Sequence, residues 1–404
     1  MGILGLNRLK KVSGADLFRN PERISPRSVG FVAGLIAIVF VVLRLFIAAE
    51  GDVSRFIVAG NAATNPAQVE PKIHVFDSYG YDGQFYWRLA TNPAELELEP
   101  YRGVQLDSPM RVSRIAYPTV AWSASLGQAS LVKWSLVLTN VLGFAALATV
   151  AAALARRHGR SALVGLAVAS SSGLVMALAR DLTEVIMVAS LIGGIALLSS
   201  RRYELAAACW VVACLAHEQA LLIVIPYFTY RVVQMIRTRT LALAAPDLPW
   251  IVAGAAFGVW QIVCRAAIGS FPMMESGNAT LDVPFRGFIR QVMHWVDHGL
   301  DRQQLLVVPQ LALLIVLVVL AFRSVASLQE EDRWLRWALI GATALAVSLS
   351  KAVWVGPAEL RQFVVLSTIA WLIIVAARRQ IPIALFLATG TVWLATAALR
   401  TAAI

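Results

Sequence analysis

The stretch VGFVAGLIAIVFVVLRLFIAA, residues 29–49, is apolar throughout except for one charged residue, Arg44. A helix of about 20 apolar residues crosses the hydrocarbon core of a bilayer, so this stretch predicts a membrane span. Runs of the same kind recur along the 404-residue chain, which is 58% hydrophobic and has a mean hydropathy of +0.69. The sequence therefore predicts an all-α polytopic membrane protein. The expected spans, about eleven by this criterion, cover residues 29–49, 131–155, 161–179, 182–200, 203–216, 218–235, 248–268, 303–322, 337–355, 362–377 and 381–399.

The basic residues of the chain predict how these spans are oriented. The net charge is +11, but Lys and Arg are spread over many short loops, which argues against a nucleic-acid partner. Cytosolic loops are enriched in Lys and Arg, and a cytosolic N-terminus puts every strongly basic short loop on that side. We therefore expect a multi-pass membrane protein with its N-terminus in the cytosol. The basic loops contain Arg156 and Arg157, Arg201 and Arg202, Arg237 and Arg239, Arg323, and Arg378 with Arg379.

The chain divides into a short basic segment and one membrane domain. Residues 1–28 are basic and polar, and the apolar run that follows them is too long for a cleaved signal peptide. We expect this segment to lie in the cytosol and the first span to be retained. Residues 29–404 form a single transmembrane helical domain in this interpretation, with extracytoplasmic segments at residues 50–130 and 269–302.

Short helices are predicted within the two outer segments. GQFYWRLA, residues 83–90, places Phe85 and Leu89 on one helical face, which is typical of a helix lying on the membrane surface. FRGFIRQVMHWVDHGLD, residues 285–301, has a similar basic and aromatic pattern. The stretch 112–130 is interrupted by a proline and serines, and we interpret it as a re-entrant or interfacial helix. A true span there is the alternative, but it would invert the orientation of every later loop.

Polar residues gather at the predicted outer ends of the spans. FDSYGYDGQFYWRLATNP, residues 76–93, carries Asp77 and Asp82 among aromatic residues. A charged side chain near the end of a membrane span costs free energy to desolvate, and it usually faces a cavity, a partner or the lipid headgroups. We therefore expect a polar cavity that opens away from the cytosol. The other contributing residues lie in ARDLTE (179–184), LAHEQA (215–220) and VGPAELRQF (355–363), together with Arg44, Arg265 and Lys351 in the spans.

Several of these polar residues also have a purely structural explanation. The cations within spans could extend to the outer headgroups. Asp181 and Glu184 could cap the helix that follows them, because carboxylates favour a helix N-terminus. His217 could be a packed interfacial histidine, and Asp77 an ordinary turn residue.

A site for a lipid-linked phosphate requires two kinds of side chain. Cations near the outer interface hold the phosphate, and a carboxylate takes the proton of an attacking hydroxyl. Asp82 suits the second role, because Gly83 lets another backbone or a substrate approach closely. The cations available for the first role are Arg44, Arg180, Arg265, Lys351 and Arg361.

Four motifs resemble the sequence landmarks of one enzyme group. YDGQFYWRLATNP (81–93), RIAYPTVAW (114–122), RDLTE (180–184) and AHEQALL (216–222) are similar to motifs of bacterial GT-C-type membrane glycosyltransferases, in particular the PIG-V-like mannosyltransferase group. The resemblance implies a GT-C-like helical bundle in the plasma (inner) membrane of a bacterium, with a large first extracytoplasmic loop carrying surface helices. It also implies a sugar donor carried on polyprenyl phosphate, and inverting transfer to a glycan, lipid or protein acceptor within the membrane lipid.

The resemblance also implies roles for individual residues. Asp82 is the predicted catalytic base, and Asp77 and Glu218 are the other predicted catalytic residues. The chain departs from the family pattern at His217-Glu218-Gln219, which puts in doubt the contribution of an arginine expected there. The spacing of Asp77 and Asp82 differs from a tight Asp-x-Asp and predicts no metal site, although some relatives of the fold use a divalent cation. The predicted substrate-binding residues are Tyr81, Gln84, Arg88, Arg180, Glu184, His217, Lys351 and Arg361.

Two other functions are alternatives. A transporter or flippase could move a lipid-linked or anionic solute, but transporters place their charged sites near the bilayer midplane and often carry internal repeats. Here the charges gather at one face and no strong repeat is present. A non-catalytic partner in cell-envelope assembly could use the outer loops as docking surfaces.

Overall fold

The structure, a computed structural model, describes residues 24–240, 242–275, 280–301, 304–354, 359–377 and 381–402. Most of the residues predicted to form a basic cytosolic segment therefore lie outside the described part of the chain. Most of the described residues are helical. Two short parallel strands, β1 (Ala59–Gly60) and β2 (Val75–Phe76), pair with each other between the first two helices. The helices are α1 (Pro26–Ile47), α2 (Gly83–Thr91), α3 (Met110–Ser113), α4 (Ala116–Ala124), α5 (Val132–Arg157), α6 (Val164–Ala169), α7 (Ser172–Arg180), α8 (Glu184–Ser199), α9 (Tyr203–Ala216), α10 (Leu221–Thr238), α11 (Leu248–Ile268), α12 (Pro272–Glu275), α13 (Arg286–His298), α14 (Gln304–Ser324), α15 (Leu335–Val347), α16 (Val364–Ala376) and α17 (Ile383–Ala402).

Six helical segments in the described residues are long and apolar enough to cross a membrane. Further apolar helices, among them α8 and α9, are shorter. This composition is that of an all-α, multi-pass membrane protein. The six long segments are Pro26–Ile47, Ala129–Arg157, Glu218–Thr238, Ala245–Ile268, Gln304–Ser327 and Ile383–Ala402.

Helix α16 lies at the centre of the bundle. All 13 of its residues are buried, and α14, α15 and α6 pack around it. A helix that is apolar on every side requires such an interior position. The 3-10 turn Glu359–Phe363 directly precedes α16, so Arg361 lies at the start of a helix that is buried along its whole length.

Helices α1 and α5 approach each other through small residues. A Cβ added at Gly30 would overlap the Thr149 side chain and lie 2.9 Å from the Ala145 carbonyl oxygen. Small residues permit the close packing that associates helices in a membrane. This packing turns Arg44 into the protein, where it is 1% exposed and its Nε donates to the Ala179 carbonyl at 3.1 Å. The alternative that Arg44 extends to the headgroups is therefore wrong.

Two expected spans differ in the structure. The run 161–179 is broken between α6 and α7 at Ser170 and Ser171. The Ser170 hydroxyl donates to the Leu166 carbonyl at 2.6 Å, and such side-chain bonds compete with continuation of the helix. The run 337–355 is helical only to the end of α15, after which the chain forms a 3-10 turn that begins at Lys351.

The first long segment after α1 folds around α2. All nine residues of α2 are buried, so the prediction of a surface helix at residues 83–90 is wrong. Its polar members find partners inside the segment: Gln84 accepts from the Gly60 N–H at 3.1 Å, and Arg88 donates to the Glu97 and Glu99 carbonyls at 2.6 and 3.0 Å. Gln84 and Arg88 thus find partners within the segment, although Nε and Nη1 of Arg88 have none among the described residues.

The other predicted short helices are present. Within residues 112–130 the main element is α4, whose nine residues span about 14 Å and are too short to cross a bilayer. The helix expected at residues 285–301 is observed as α13. It packs against the 3-10 turn Lys351–Trp354.

Candidate functional site

Asp82 immediately precedes α2 and is 7% exposed. Its Oδ2 lies 2.8 Å from Arg361 Nη2 and 2.8 Å from Arg111 Nη1, with Arg114 Nη1 at 3.8 Å. One carboxylate oxygen is therefore shared by three guanidinium groups. Arg111 and Arg114 belong to the first long segment and Arg361 to the turn before α16, so Asp82 joins this segment to the bundle.

Two more carboxylates extend the arrangement. Arg361 Nη1 donates to Glu184 Oε1 at 3.1 Å. Arg114 donates to both oxygens of Glu218, at 3.0 and 2.7 Å, which is the strong bidentate geometry. Each carboxylate stands at the start of a helix or 3-10 turn, where backbone N–H groups favour negative charge. We call the six residues the Asp82 cluster: Asp82, Arg111, Arg114, Glu184, Glu218 and Arg361.

Gly83 determines how closely α2 approaches α7. A Cβ added at Gly83 would lie 2.5 Å from the Arg180 carbonyl oxygen and 2.6 Å from the Ile57 carbonyl oxygen. Both neighbours are backbone atoms, which cannot rotate away. The absence of a side chain at this position therefore lets the start of α2 pack directly against these two backbone carbonyls.

Charge balance in the cluster determines the proton affinity of Asp82. Burial alone would raise the pKa of the Asp82 carboxyl, but the attraction of Arg361, Arg111 and Arg114 outweighs burial and holds the pKa well below its usual range. The Coulomb attraction of Asp82 likewise raises the pKa of Arg111, against the opposing effect of burial. Asp82 is thus a weak base while all three arginines surround it, and its basicity rises when another anion takes them.

His217 supports the cluster as a neutral side chain. Burial lowers the pKa of His217 to about 3, and Arg114 acts in the same direction. Nδ1 accepts a hydrogen bond from the Gln219 N–H at 3.2 Å and lies 3.4 Å from Glu218 Oε1. Gln219 Nε2 in turn donates to Gln362 Oε1 at 2.8 Å. The chain at 217–219 is thereby tied to the turn that holds Arg361.

The ring of Tyr81 connects the Asp82 cluster to more cations. The Arg361 guanidinium carbon lies 4.9 Å from the ring centroid, and that of Arg180 lies 4.4 Å from it. Both distances are typical of cation–π contacts. Arg180 ends α7, next to the carbonyl that binds Arg44, so arginines extend from the cluster towards α1.

The structure brings together the predicted residues Asp82, Glu184, Glu218, His217 and Arg361, with Tyr81 and Arg180 beside them. Four other predicted residues lie elsewhere. Asp77 is exposed and accepts from Asn61 Nδ2 at 2.6 Å. Gln84 and Arg88 bind backbone groups of their own segment, and Lys351 lies in the turn against α13. Arg265, expected among the cations, is exposed and contacts Phe271.

Sequence reasoning did not select Arg111 and Arg114. Arg114 lies inside one of the quoted motifs, and Arg111 precedes it by three residues. That spacing puts both side chains on one face of a helical turn, and it is the signal that identifies them as a pair. Arg111 is further held by Asp107 Oδ1 at 2.8 Å.

The described part of the chain contains no group of three or more His, Cys, Asp or Glu residues arranged to hold a metal ion. The carboxylates of the Asp82 cluster are bound by arginines instead. No protein-family model matches the chain, and no curated protein matches it significantly. The glycosyltransferase resemblance thus stays a prediction, and the geometry of the cluster is the basis for a functional proposal.

Proposed function

We propose that the chain is a membrane glycosyltransferase that moves a sugar from a polyprenyl-phosphate donor to an acceptor hydroxyl at the extracytoplasmic face. The observation that carries the proposal is the Asp82 cluster, in which a buried carboxylate shares one oxygen among three arginines. A phosphate competes for those guanidinium groups, because their fork of N–H donors fits phosphate as well as carboxylate.

In the proposed reaction the donor phosphate accepts hydrogen bonds from Arg361 and Arg111. Because Asp82 loses its ion pairs with these two arginines, it becomes a stronger base. The acceptor oxygen then bonds to the anomeric carbon from the side opposite the phosphate, which inverts that carbon. The bond from the anomeric carbon to the phosphate oxygen breaks, and its electron pair stays on the phosphate. The acceptor proton passes to Asp82. The arginines stabilise the leaving charge, as preorganised donors do in a partly dry site.

The sidedness in this proposal follows from the charge pattern of the loops. Basic loops mark the cytosolic side, and the expected alternation of spans puts Asp82 on the other side. Tyr81, Arg180 and Arg361 stand next to the base in this scheme and contact the donor. Glu184, Glu218 and His217 are positioning residues, which hold the arginines in the absence of a substrate.

The test is sugar transfer by membranes that contain the full-length chain and are supplied with polyprenyl-phosphate mannose and, separately, its glucose counterpart. Asp82→Asn is expected to lower transfer by about 100-fold or more, the usual contribution of a general base. Glu97→Gln, an exposed carboxylate in the same segment, is the control and is expected to keep full activity. Transfer by a folded Asp82→Asn protein at the wild-type rate would refute the proposal.

One observation favours a transporter or flippase as the second candidate. The break between α6 and α7 opens onto a cleft between α14, α16 and α17 that contains polar side chains, among them Ser171, Gln310, Ser367 and Thr389. Broken helices around a polar cavity are typical of transporters. If this is the function, vesicles containing the protein move a lipid-linked or anionic solute with its sugar linkage intact, and Gln310→Leu slows that movement.

A further inference from the structure

Arg400 is a buried cation in the last turn of α17, and sequence reasoning did not select it. The residue is 9% exposed although it lies near the end of a long apolar helix, where arginine usually extends to the headgroups. No carboxylate of the described residues pairs with its guanidinium. A buried charge without an opposite charge is costly, so its retention in this position requires an explanation.

The surroundings of Arg400 are also cationic. Arg44 Nη1 donates to the Arg400 backbone carbonyl, and Arg44 Nε donates to the carbonyl of Ala179. These bonds hold the last turn of α17 next to the end of α7, and α7 packs on α17. Coulomb repulsion acts between Arg400 and Arg180, and Tyr81 lies within electrostatic reach of Arg400.

The acidic residue next to Arg180 in the sequence forms no ion pair with Arg400 within the described residues. Asp181 follows Arg180, is completely buried, and has neither carboxylate oxygen hydrogen-bonded within the described residues. Burial favours the neutral form of the Asp181 carboxyl and raises its pKa well above its usual range, against the attraction of Arg44. Arg400 therefore has no anionic partner in the described part of the chain.

We propose that Arg400, with Arg180 and Arg44 beside it, forms a phosphate-binding site, and that the phosphate of the lipid donor docks there before it reaches Arg361 and Arg111 of the Asp82 cluster. The choice of a lipid phosphate rests on the proposed function, whereas the site itself follows from a buried cation that has no carboxylate partner among the described residues. Guanidinium groups bind phosphate oxygens through paired N–H donors. Tyr81, which contacts both Arg180 and Arg361, connects this site to the Asp82 cluster.

The buried side of α17 that carries Arg400 also lines a small, partly polar cleft. Thr389 and Thr396 precede Arg400 by about three turns and one turn on the same buried side of α17. Thr389 lines the cleft between α14, α16 and α17, whose wall also includes Leu314 and Trp371. This cleft has a free volume of about 40 Å³ and partly polar walls, so it admits a few water molecules and no lipid chain.

The test measures binding of farnesyl phosphate to the full-length protein in nanodiscs, with farnesol as the uncharged comparison. Arg400→Met removes the charge and keeps most of the side-chain volume. It is expected to weaken farnesyl phosphate binding by about tenfold or more, the loss typical of a charged hydrogen-bond donor. Arg323→Gln, at an exposed arginine in the last turn of α14, is the control and is expected to bind as wild type does.

A second measurement separates a binding role from a structural one. If Arg400 is an uncompensated cation, the ligand-free Arg400→Met protein melts at or above the wild-type temperature. A lower melting temperature with unchanged farnesyl phosphate affinity would overturn the proposal, and so would equal binding of farnesyl phosphate and farnesol by the wild type. Competition by inorganic phosphate indicates recognition of the phosphate alone; its absence indicates that the lipid chain is also required.

Failure of this inference is distinguishable from failure of the proposed function. Farnesyl phosphate binding that depends on Arg400, without any sugar transfer by the wild type, leaves the phosphate site in place and refutes the glycosyltransferase. Sugar transfer that is lost in Asp82→Asn but unchanged in Arg400→Met supports the enzyme and refutes the site.

Discussion

At the scale of single residues, the state of Asp82 depends on its three arginine neighbours. Burial by itself favours the neutral carboxyl, yet the guanidinium groups keep it ionised. Removal of one partner from a buried ion pair typically costs about 3–5 kcal/mol, because it leaves the other charge uncompensated. The same arrangement that holds the segment in place thus also makes Asp82 sensitive to any anion that binds its arginines.

His217 provides a prediction about pH at the same scale. Its pKa is about 3 in the folded protein, against about 6.5 for an unfolded histidine. Neutral His217 therefore contributes fully to stability above about pH 6.5, and this contribution falls as the pH drops towards the folded value. We expect the wild type to lose up to about 1.4 kcal/mol per pH unit through this one residue below about pH 6.5.

The measurement is the melting temperature in detergent between about pH 7 and pH 5. His217→Asn keeps an acceptor for the Gln219 N–H but cannot take a proton, so its melting temperature should depend less on pH. His298→Asn, at an exposed histidine, is the control and should follow the wild type. If the melting temperatures of the wild type and His217→Asn changed with pH in the same way, His217 would take up a proton in the folded protein as readily as in the unfolded one, which would contradict the prediction.

At the scale of elements, the contact of α2 with α7 depends on one glycine. Gly83→Ala would place a Cβ 2.5 and 2.6 Å from two backbone oxygens, and neither can move without its element. We expect α2 to shift, Asp82 to lose its bonds to Arg361 and Arg111, and the melting temperature to fall. Overpacking of this kind usually costs about 1–3 kcal/mol.

The control for this prediction is Gly254→Ala in α11, where an added Cβ meets nothing within 4 Å. There the helix preference of alanine should leave the melting temperature unchanged or slightly raised. Thermal unfolding and limited proteolysis at residues 50–111 measure both variants. A Gly83→Ala protein as stable and as resistant to protease as the Gly254→Ala protein would contradict the packing argument.

At the scale of the whole molecule, the orientation in the membrane makes a prediction. Tyr79 is 88% exposed, next to the Asp82 cluster, and Arg201 is exposed in a basic loop after α8. In a chain whose three native cysteines are replaced by alanine, we expect an impermeant maleimide to label Tyr79→Cys in intact cells. Arg201→Cys should be labelled only after the membrane is permeabilised. The reverse result would place the Asp82 cluster in the cytosol and refute the proposed use of an extracytoplasmic donor.

Local pattern was enough to predict most of the helices. The run 29–49 predicts α1, and the run 248–268 predicts α11, because a long apolar stretch in a membrane satisfies its backbone only as a helix. The pattern failed at residues 83–90. Amphipathic spacing is the same whether the apolar face meets lipid or protein, so periodicity could not distinguish a surface helix from a buried one.

The sequence by itself therefore determined the fold class, since burial of apolar runs in lipid depends on neighbouring residues in the chain. It also singled out Asp82, Glu184, Glu218 and Arg361 as costly charges in apolar surroundings. Only the tertiary structure decided which charges meet. Arg361 reaches Asp82 across 279 positions and Arg114 reaches Glu218 across 104, and Arg400 reaches its neighbours only because α17 packs on α7. Such pairings depend on how the helices pack against one another, and the spacing of neighbouring residues in the sequence does not determine that packing.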